Sequence, residues 1–170
     1  IHCQITHHDQ LDRMKAMDLI AYIQPIFLNY DISIIDDRIG AQRASTSYNW
    51  KEFLDKGIPI SGGSDCPVES LDIMDNIYAA VTRKTLAGQP DGGWRPDQCI
   101  TVEQALESFT MGGAYASFSE DRKGSITPGK VADFAVLSAD LFAVAPDAIK
   151  DIDVLQTYLN GELVFDRAAQ

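Results

Sequence analysis

The sequence has little of what membrane, disulfide-stabilised or nucleic-acid-binding proteins need. Only three cysteines occur in 170 residues, and this odd, scattered set argues against a disulfide framework and for a reducing, cytoplasmic compartment. There is no apolar run of the roughly 18 residues that a membrane span requires. Basic residues number 14 against 25 acidic ones, and the net charge of −11 disfavours nucleic acid and anionic membrane surfaces as partners.

Several functional motifs are missing as well. There is no Gly-x-Ser-x-Gly nucleophile elbow, no P-loop and no Gly-x-Gly-x-x-Gly loop. The composition, 45% hydrophobic and 23% charged, is that of a globular domain with a core.

The chain begins directly in an apolar, strand-like stretch, Ile1-His2-Cys3-Gln4, which predicts that it is a piece of a longer protein. Processing is the alternative explanation.

Short apolar segments alternate with helix-like segments over the first two thirds of the chain. Helices are predicted over residues 9–18, 47–55 and 72–86, and strands over 1–5, 19–23 and 58–61. Apolar strands of this kind, separated by helices, are typical of a parallel sheet covered on both faces. In such sheets the functional residues lie where the strands end.

The last third has more local, β-rich patterns. Thr101 and Gln104 form the sequence of a capping box, which predicts the start of a helix. A strand is predicted over residues 131–137. Two apolar runs around Asn160-Gly161 predict a β-hairpin with a type I′ turn.

His2 and Asp65 are the residues best suited to metal chemistry. His2 lies in the first predicted strand, and Asp65 follows the third in the loop Gly62-Gly63-Ser64-Asp65-Cys66-Pro67. Imidazole and carboxylate groups both bind zinc, and an aspartate beside a metal-activated water can move protons. The two glycines would leave space near such an ion. The alternatives are a core histidine and an ordinary turn, and two ligands do not complete a zinc site.

Three segments resemble the metal-dependent amidohydrolase superfamily, most closely amidohydrolase family 3, the YtcJ-like branch. They are residues 1–4, residues 62–68 and the run Gly124-Ser125-Ile126-Thr127-Pro128-Gly129-Lys130-Val131-Ala132-Asp133. The resemblance implies an α/β fold in two parts. Residues 1–123 would be the C-terminal part of a (β/α)8 TIM-like barrel, with strands 6–8, and residues 124–170 would supply strands of a small composite β-sandwich.

The resemblance also implies an activity, a metal and site residues. The reaction would be hydrolysis of carbon–nitrogen bonds in non-peptide amides by a metal-activated water, with zinc as the expected metal. His2 would be the metal ligand of the sixth strand. Asp65 would contact the metal from the end of the eighth strand and shuttle protons. The family's other ligands would lie upstream of Ile1, so the isolated chain is expected to be incomplete and inactive. Because strand edges are left unpaired, the chain is expected to need the missing N-terminal part as a partner, to self-associate as a homo-oligomer, or to aggregate.

Arg38, Gln4 and Trp50 are candidate contacts to a small-molecule substrate. Arg38 could hold a carboxylate through its planar guanidinium, although an ion pair with Asp36 or Asp37 is equally consistent with the sequence. Packing is the alternative role for Trp50. Two other functions stay open, namely a non-catalytic binding or assembly module on the same scaffold and a hydrolase of esters or lactones.

Overall fold

Two parallel strands organise the first part of the fold. The computed structural model describes residues 1–169. Strand β1 (Ala21–Ile23) pairs in parallel with β2 (Ile60–Gly62), with Ala21 opposite Ile60 and Ile23 opposite Gly62. A parallel pair needs a long crossover connection, and here that connection contains helices. The predicted parallel sheet flanked by helices is therefore confirmed at these two strands.

Eight helices accompany the strands in the described residues, and most are short. They are α1 (His8–Ala16), α2 (Leu28–Asp31), α3 (Ile35–Ile39), α4 (Ala41–Ala44), α5 (Trp50–Asp55), α6 (Ile73–Thr82), α7 (Val102–Phe109) and α8 (Met111–Ala116). There are also 3-10 turns at Pro25–Phe27, Pro96–Gln98, Pro146–Asp151 and Arg167–Ala169. None of the helices in the described part of the chain is long and apolar enough to cross a membrane.

The three helices predicted over residues 9–18, 47–55 and 72–86 are confirmed as α1, α5 and α6, with shifted ends. Helix α6 ends at Thr82 rather than Leu86, because Arg83 takes a left-handed backbone conformation with a φ of 53°. Helix α7 begins with the predicted capping box, in which Thr101 accepts from the backbone N–H of Gln104 and the Gln104 side chain accepts from that of Thr101.

The predicted first strand is wrong. Residues 1–4 have no regular secondary structure, and Ile5 makes a single antiparallel bridge to Ser47. The reason lies in the backbone, because His2 and Cys3 have φ values of 68° and 50°. These left-handed conformations interrupt the extended pleat that a strand needs. His2 therefore lies in an irregular segment.

The expected role of Gly62 also changes. A Cβ atom at this position would lie 2.6 Å from the ring of Phe109, so Gly62 makes room for helix α7. Gly63, by contrast, has open space around it. Gly112 allows a similar approach, since a Cβ there would lie 2.4 Å from the carbonyl oxygen of Ile60. The paired helices α7 and α8 thus pack directly against β2.

The tail forms a three-stranded antiparallel sheet in the order β3 (Phe134–Leu137), β4 (Val154–Leu159) and β5 (Glu162–Asp166). The hairpin predicted at Asn160-Gly161 is confirmed, and both turn residues have positive φ values, 51° and 83°. This is the signature of a type I′ turn.

The segment between β3 and β4 connects the tail to the rest of the core. Leu141, Ile149 and Ile152 are buried in the same hydrophobic cluster as Ile23, Ile60 and Ile77. The 3-10 turn Pro146–Asp151 packs against α6. The tail therefore shares one core with the strands and helices before it, and the division of the chain at residue 123 stays a prediction.

Candidate metal and catalytic site

His2 is held against the end of β1. Its Nδ1 lies 2.8 Å from the side-chain oxygen Oε1 of Gln24, the residue that follows β1. The imidazole also stacks on Phe27, with ring centroids 5.7 Å apart and an angle of 27° between the planes. Nδ1 therefore has a partner within the chain, and Nε2 is the ring nitrogen left for another ligand.

Asp65 lies on a tight loop just beyond β2, and its side chain is exposed. Its φ of 61° is left-handed, a conformation that aspartate tolerates better than most residues. The carbonyl oxygen of Asp65 accepts a 2.8 Å hydrogen bond from the N–H of Val68, which closes the turn. The carboxylate is accordingly accessible at the edge of the sheet where the parallel strands end.

A backbone hydrogen bond joins the two strand ends that carry these residues. The N–H of Gly63 donates to the carbonyl oxygen of Ile23 at 3.0 Å. Ile23 precedes Gln24, which binds His2, and Gly63 lies two residues before Asp65. His2 and Asp65 are thus attached to neighbouring strand ends at the same edge of the sheet.

His2 and the loop that follows Asp65 nevertheless line different grooves. His2 and Gln4 line a groove of about 710 Å³ between the N-terminal segment and α1. The loop that follows Asp65, residues 66–72, lines a second groove of about 710 Å³ together with Ile26 and Asn29. The chain as described therefore provides two half-open surfaces around the strand ends rather than one closed cavity.

The donor chemistry of His2 and Asp65 fits part of a divalent metal site. A histidine that binds a metal usually donates its other ring N–H to an oxygen. The Gln24 side-chain oxygen lies within hydrogen-bond distance of His2 Nδ1. Catalytic zinc generally takes three protein ligands. Within residues 1–169, no group of three or more His, Cys, Asp or Glu side chains could hold a metal ion. The two residues thus fit a ligand set that needs further members.

Gln4 takes part in a hydrogen-bonded network with Asp31 and Tyr48. Its amide nitrogen donates to Asp31 Oδ2 at 3.0 Å and to the Tyr48 hydroxyl at 2.8 Å. The Tyr48 hydroxyl in turn donates to the same Asp31 oxygen. Burial, together with the bond to Asp31, raises the pKa of the Tyr48 phenol far above its usual range. This network fixes the side chain of Gln4, which was predicted to contact substrate.

Arg83 is a buried cation between two indole rings. Its Cζ lies 4.9 Å from the ring centroid of Trp50 and 5.0 Å from that of Trp94. Nε donates to the carbonyl oxygen of Trp94 at 2.7 Å, and Nη1 donates to that of Tyr48 at 2.8 Å. Burial lowers the pKa of Arg83 to about 10. Arg83 thus binds the backbone carbonyl of Tyr48, while Gln4 contacts the backbone N–H and the hydroxyl of the same residue.

The other two predicted substrate contacts lie in different environments. Trp50 is 0% exposed and packs in the core, with Arg83 over its ring. Arg38 lies exposed on α3. The ion pairs found among residues 1–169 do not include one between Arg38 and Asp36 or Asp37. The guanidinium of Arg38 is therefore accessible, whereas the indole of Trp50 is not.

The groove beside the Asp65 loop is acidic and partly apolar. Burial, with Asp75 nearby, raises the pKa of Glu69, and burial, with Asp72 nearby, raises that of Asp75. Both carboxyl groups line this groove, together with the exposed side chains of Val68 and Leu71.

The sequence analysis did not identify Gln24, Asp31, Tyr48 or Arg83. The available signal for Gln24 was its place at the end of a predicted strand, because strand ends of parallel sheets carry functional groups. Arg83 fell inside a longer predicted helix. The contacts of all four residues join segments far apart in the chain, and no local pattern reports such contacts.

Comparison with known proteins identifies the class to which this fold and site belong. The model of a family described as the amidohydrolase family matches residues 1–165. The chain therefore belongs to the amidohydrolase family.

Individual relatives agree with this assignment. The YtcJ protein of Bacillus subtilis (strain 168) is 33% identical over 168 residues, which are 99% of this chain and 32% of YtcJ. An N-substituted formamide deformylase of Arthrobacter pascens is 34% identical over 117 residues, 69% of this chain and 21% of the relative. Among solved structures, an uncharacterized metal-dependent hydrolase from Pyrococcus horikoshii OT3 has a TM-score of 0.75 at 28% identity, covering 85% of this chain and 29% of that one. The chain thus spans between a fifth and a third of the length of these proteins.

Proposed function

We propose that this chain is part of a metal-dependent hydrolase that breaks carbon–nitrogen bonds in non-peptide amides. The observation that carries the proposal is the hydrogen bond between Gly63 N–H and the carbonyl oxygen of Ile23. It joins the strand end that holds His2 to the strand end that continues to Asp65. Two side chains whose chemistry suits a metal ion are thereby attached to one edge of a parallel sheet, where α/β enzymes carry their active sites.

The comparisons support this choice of reaction class. A relative named as a formamide deformylase acts on a carbon–nitrogen bond by its name, and a structural neighbour is described as a metal-dependent hydrolase. Both are much longer than this chain. We therefore propose that the remaining metal ligands come from a part of the protein outside these 170 residues. On this proposal, residues 1–170 alone bind the metal weakly and do not turn over substrate.

The chain's own residues would perform two tasks in the reaction. A bound divalent metal, which we expect to be zinc, would polarise the scissile carbonyl and make water a better nucleophile. His2 would bind this metal through Nε2, with its ring orientation set by Gln24 and Phe27. The Asp65 carboxylate would contact the metal, accept a proton from the attacking water and return it to the departing nitrogen.

Substrate recognition would depend on the loops around the strand ends. The exposed guanidinium of Arg38 is suited to a carboxylate on the substrate. The groove beside the Asp65 loop, with its raised-pKa carboxyl groups and exposed apolar side chains, is suited to a substrate that combines N–H groups with an apolar part.

Metal analysis of the longer protein that contains this chain tests the proposal. We expect His2→Asn to lower both the bound metal and the activity. Asp65→Asn should abolish turnover with the fold retained, because asparagine has nearly the same shape and tolerates a left-handed backbone. His7→Asn and Asp121→Asn are matched controls at exposed positions and should change neither quantity.

Three outcomes would contradict the proposal. A wild-type rate in Asp65→Asn would remove Asp65 from the mechanism. Faster turnover of esters or lactones than of amides would give the site another substrate class. Absence of both bound metal and turnover in the longer protein would favour a binding or assembly module.

A further inference from the structure

We propose that Gln24 is a positioning residue that holds His2 in the Nδ1-protonated tautomer and leaves the lone pair of Nε2 free for a ligand. The proposal deepens the function proposed above and rests on it in one respect, because a free Nε2 is useful only if a metal binds there. The hydrogen bond itself, however, can be tested without any metal.

The position of Gln24 is fixed by the strand end that it follows. Ile23, the last residue of β1, is bonded to Gly63 through its carbonyl oxygen. Pro25 opens a 3-10 turn directly after Gln24. Gln24 itself is only 7% exposed, so its side chain has little freedom. The side-chain amide of Gln24 is therefore held in a fixed position beside the N-terminal segment.

The chemistry of the contact determines which ring nitrogen carries the proton. The Gln24 atom that lies 2.8 Å from His2 Nδ1 is the amide oxygen. An amide oxygen only accepts hydrogen bonds, so Nδ1 must be the donor. A neutral imidazole has one protonated nitrogen and one with a lone pair, and the lone pair then belongs to Nε2.

Phe27 completes the control of the ring. Its ring stacks on the imidazole of His2 with an angle of 27° between the two ring planes. This contact limits rotation of the imidazole about the bond between Cβ and the ring. Gln24 and Phe27 belong to one short segment, because Phe27 is the last residue of the 3-10 turn that follows Gln24. One segment thus sets both the tautomer and the plane of the His2 ring, although the His2 backbone lies outside any strand.

Nitrogen NMR of the imidazole rings in the longer protein that contains this chain tests the tautomer. That protein is labelled with ¹⁵N-histidine, freed of bound metal and studied at about pH 9, where imidazole rings are generally neutral. We expect His2 to be protonated on Nδ1 in the wild type. Gln24→Glu should keep this tautomer, since a carboxylate also accepts. Gln24→Met, which has similar length but no oxygen, should move the proton to Nε2 or leave a mixture.

The exposed ring of His7 is the internal control and should be the same in all three proteins. A purely structural role for Gln24 would change stability without a switch in the tautomer of His2. Protonation of Nε2 in the wild type overturns the proposal, and so does an unchanged tautomer in Gln24→Met. The wild-type spectrum decides the matter even if Gln24→Met does not fold.

A second measurement separates this proposal from the function on which it rests. In the longer protein, Gln24→Met should weaken zinc binding about 10- to 100-fold, the usual effect of removing a partner of a metal-bound histidine. Gln24→Glu should bind zinc at least as tightly as the wild type. If the tautomer switches in Gln24→Met but zinc binding is unchanged, Gln24 still positions His2, and the assignment of His2 as a metal ligand is wrong.

Discussion

Arg83 Nη1 donates a 2.8 Å hydrogen bond to the carbonyl oxygen of Tyr48, and both residues have left-handed φ values, 53° and 52°. The buried guanidinium of Arg83 thus joins two residues that both have an uncommon backbone conformation. Tyr48 bonds to Gln4 through its backbone N–H and its hydroxyl, and Gln4 is two residues from His2. Hydrogen bonds through Tyr48 therefore connect the buried Arg83 to the segment that carries His2.

Replacing Arg83 should destabilise the fold strongly. Arg83→Met leaves the carbonyl oxygens of Tyr48 and Trp94 without their donor, and an unpaired buried polar group costs about 1–3 kcal/mol. We expect a loss of about 2–4 kcal/mol in the free energy of unfolding, measured by urea denaturation.

Arg95→Met is the matched control for that substitution. The Arg95 guanidinium also lies over Trp94, at 4.7 Å, but the residue is partly exposed. Its loss should cost less than about 1 kcal/mol, the range of an exposed cation–π contact. Equal losses in the two variants would show that the buried hydrogen bonds of Arg83 contribute nothing beyond stacking.

Removing the Tyr48 hydroxyl should destabilise the network around Gln4. Tyr48 is 1% exposed, and Tyr48→Phe keeps the ring but removes the bonds to Asp31 and Gln4. We expect a loss of about 1–3 kcal/mol in unfolding free energy. Tyr30→Phe, at a position 60% exposed, is the control and should be neutral. A neutral Tyr48→Phe would mean that the network does not stabilise the N-terminal segment.

The pH dependence of stability should also reveal Tyr48. Burial raises the pKa of its phenol in the folded state, so its contribution is complete below the unfolded pKa of about 10 and is lost as pH rises above it. Arg83, with its pKa lowered to about 10, acts in the opposite direction between that pH and its unfolded pKa.

Comparing the wild type with Tyr48→Phe removes most of the Arg83 effect, because both proteins contain Arg83. The wild type should lose stability more steeply than Tyr48→Phe between about pH 9 and 11, as measured by urea denaturation across this range. Parallel curves would contradict the assignment of a raised pKa to Tyr48.

Two adjacent glycines in α8 offer a test of how this helix packs on β2. Gly112→Ala brings a Cβ to 2.4 Å from the Ile60 carbonyl oxygen, so the helix must move, at a cost of about 1–3 kcal/mol. Gly113→Ala adds a Cβ whose nearest neighbour is Ser61 Oγ at 4.0 Å, and it should be neutral or stabilise by up to about 1 kcal/mol. The Tm should therefore fall in Gly112→Ala and stay the same or rise in Gly113→Ala, and an unchanged Tm in Gly112→Ala would contradict the close contact at that position.

The sequence predicted those parts of the fold that depend on neighbouring residues. The capping box at Thr101 and the turn at Asn160-Gly161 need only contacts within a few positions, and both are present. The irregular path of residues 1–4 was not predictable in this way. It depends on Gln24, Asp31 and Tyr48, and these contacts span 22 or more residues.

The candidate site shows the same division. His2 and Asp65 could be selected from residue type and position relative to predicted strands. The orientation of His2 could not, because it depends on a glutamine and a phenylalanine beyond the next strand. The packing role of Gly62 could not be predicted either, since the space beside it is filled by Phe109, which comes 47 positions later in the sequence.

The bond between Gly63 and Ile23 has a consequence for how such a scaffold can diversify. It is the last hydrogen bond between the two strands before each chain segment continues into a loop. Insertions or deletions beyond Gln24 or Asp65 therefore leave the distance between the two strand ends unchanged. Loop length and loop chemistry can then drift over generations around a constant pair of anchor points. A change of substrate would require new loops and no new framework.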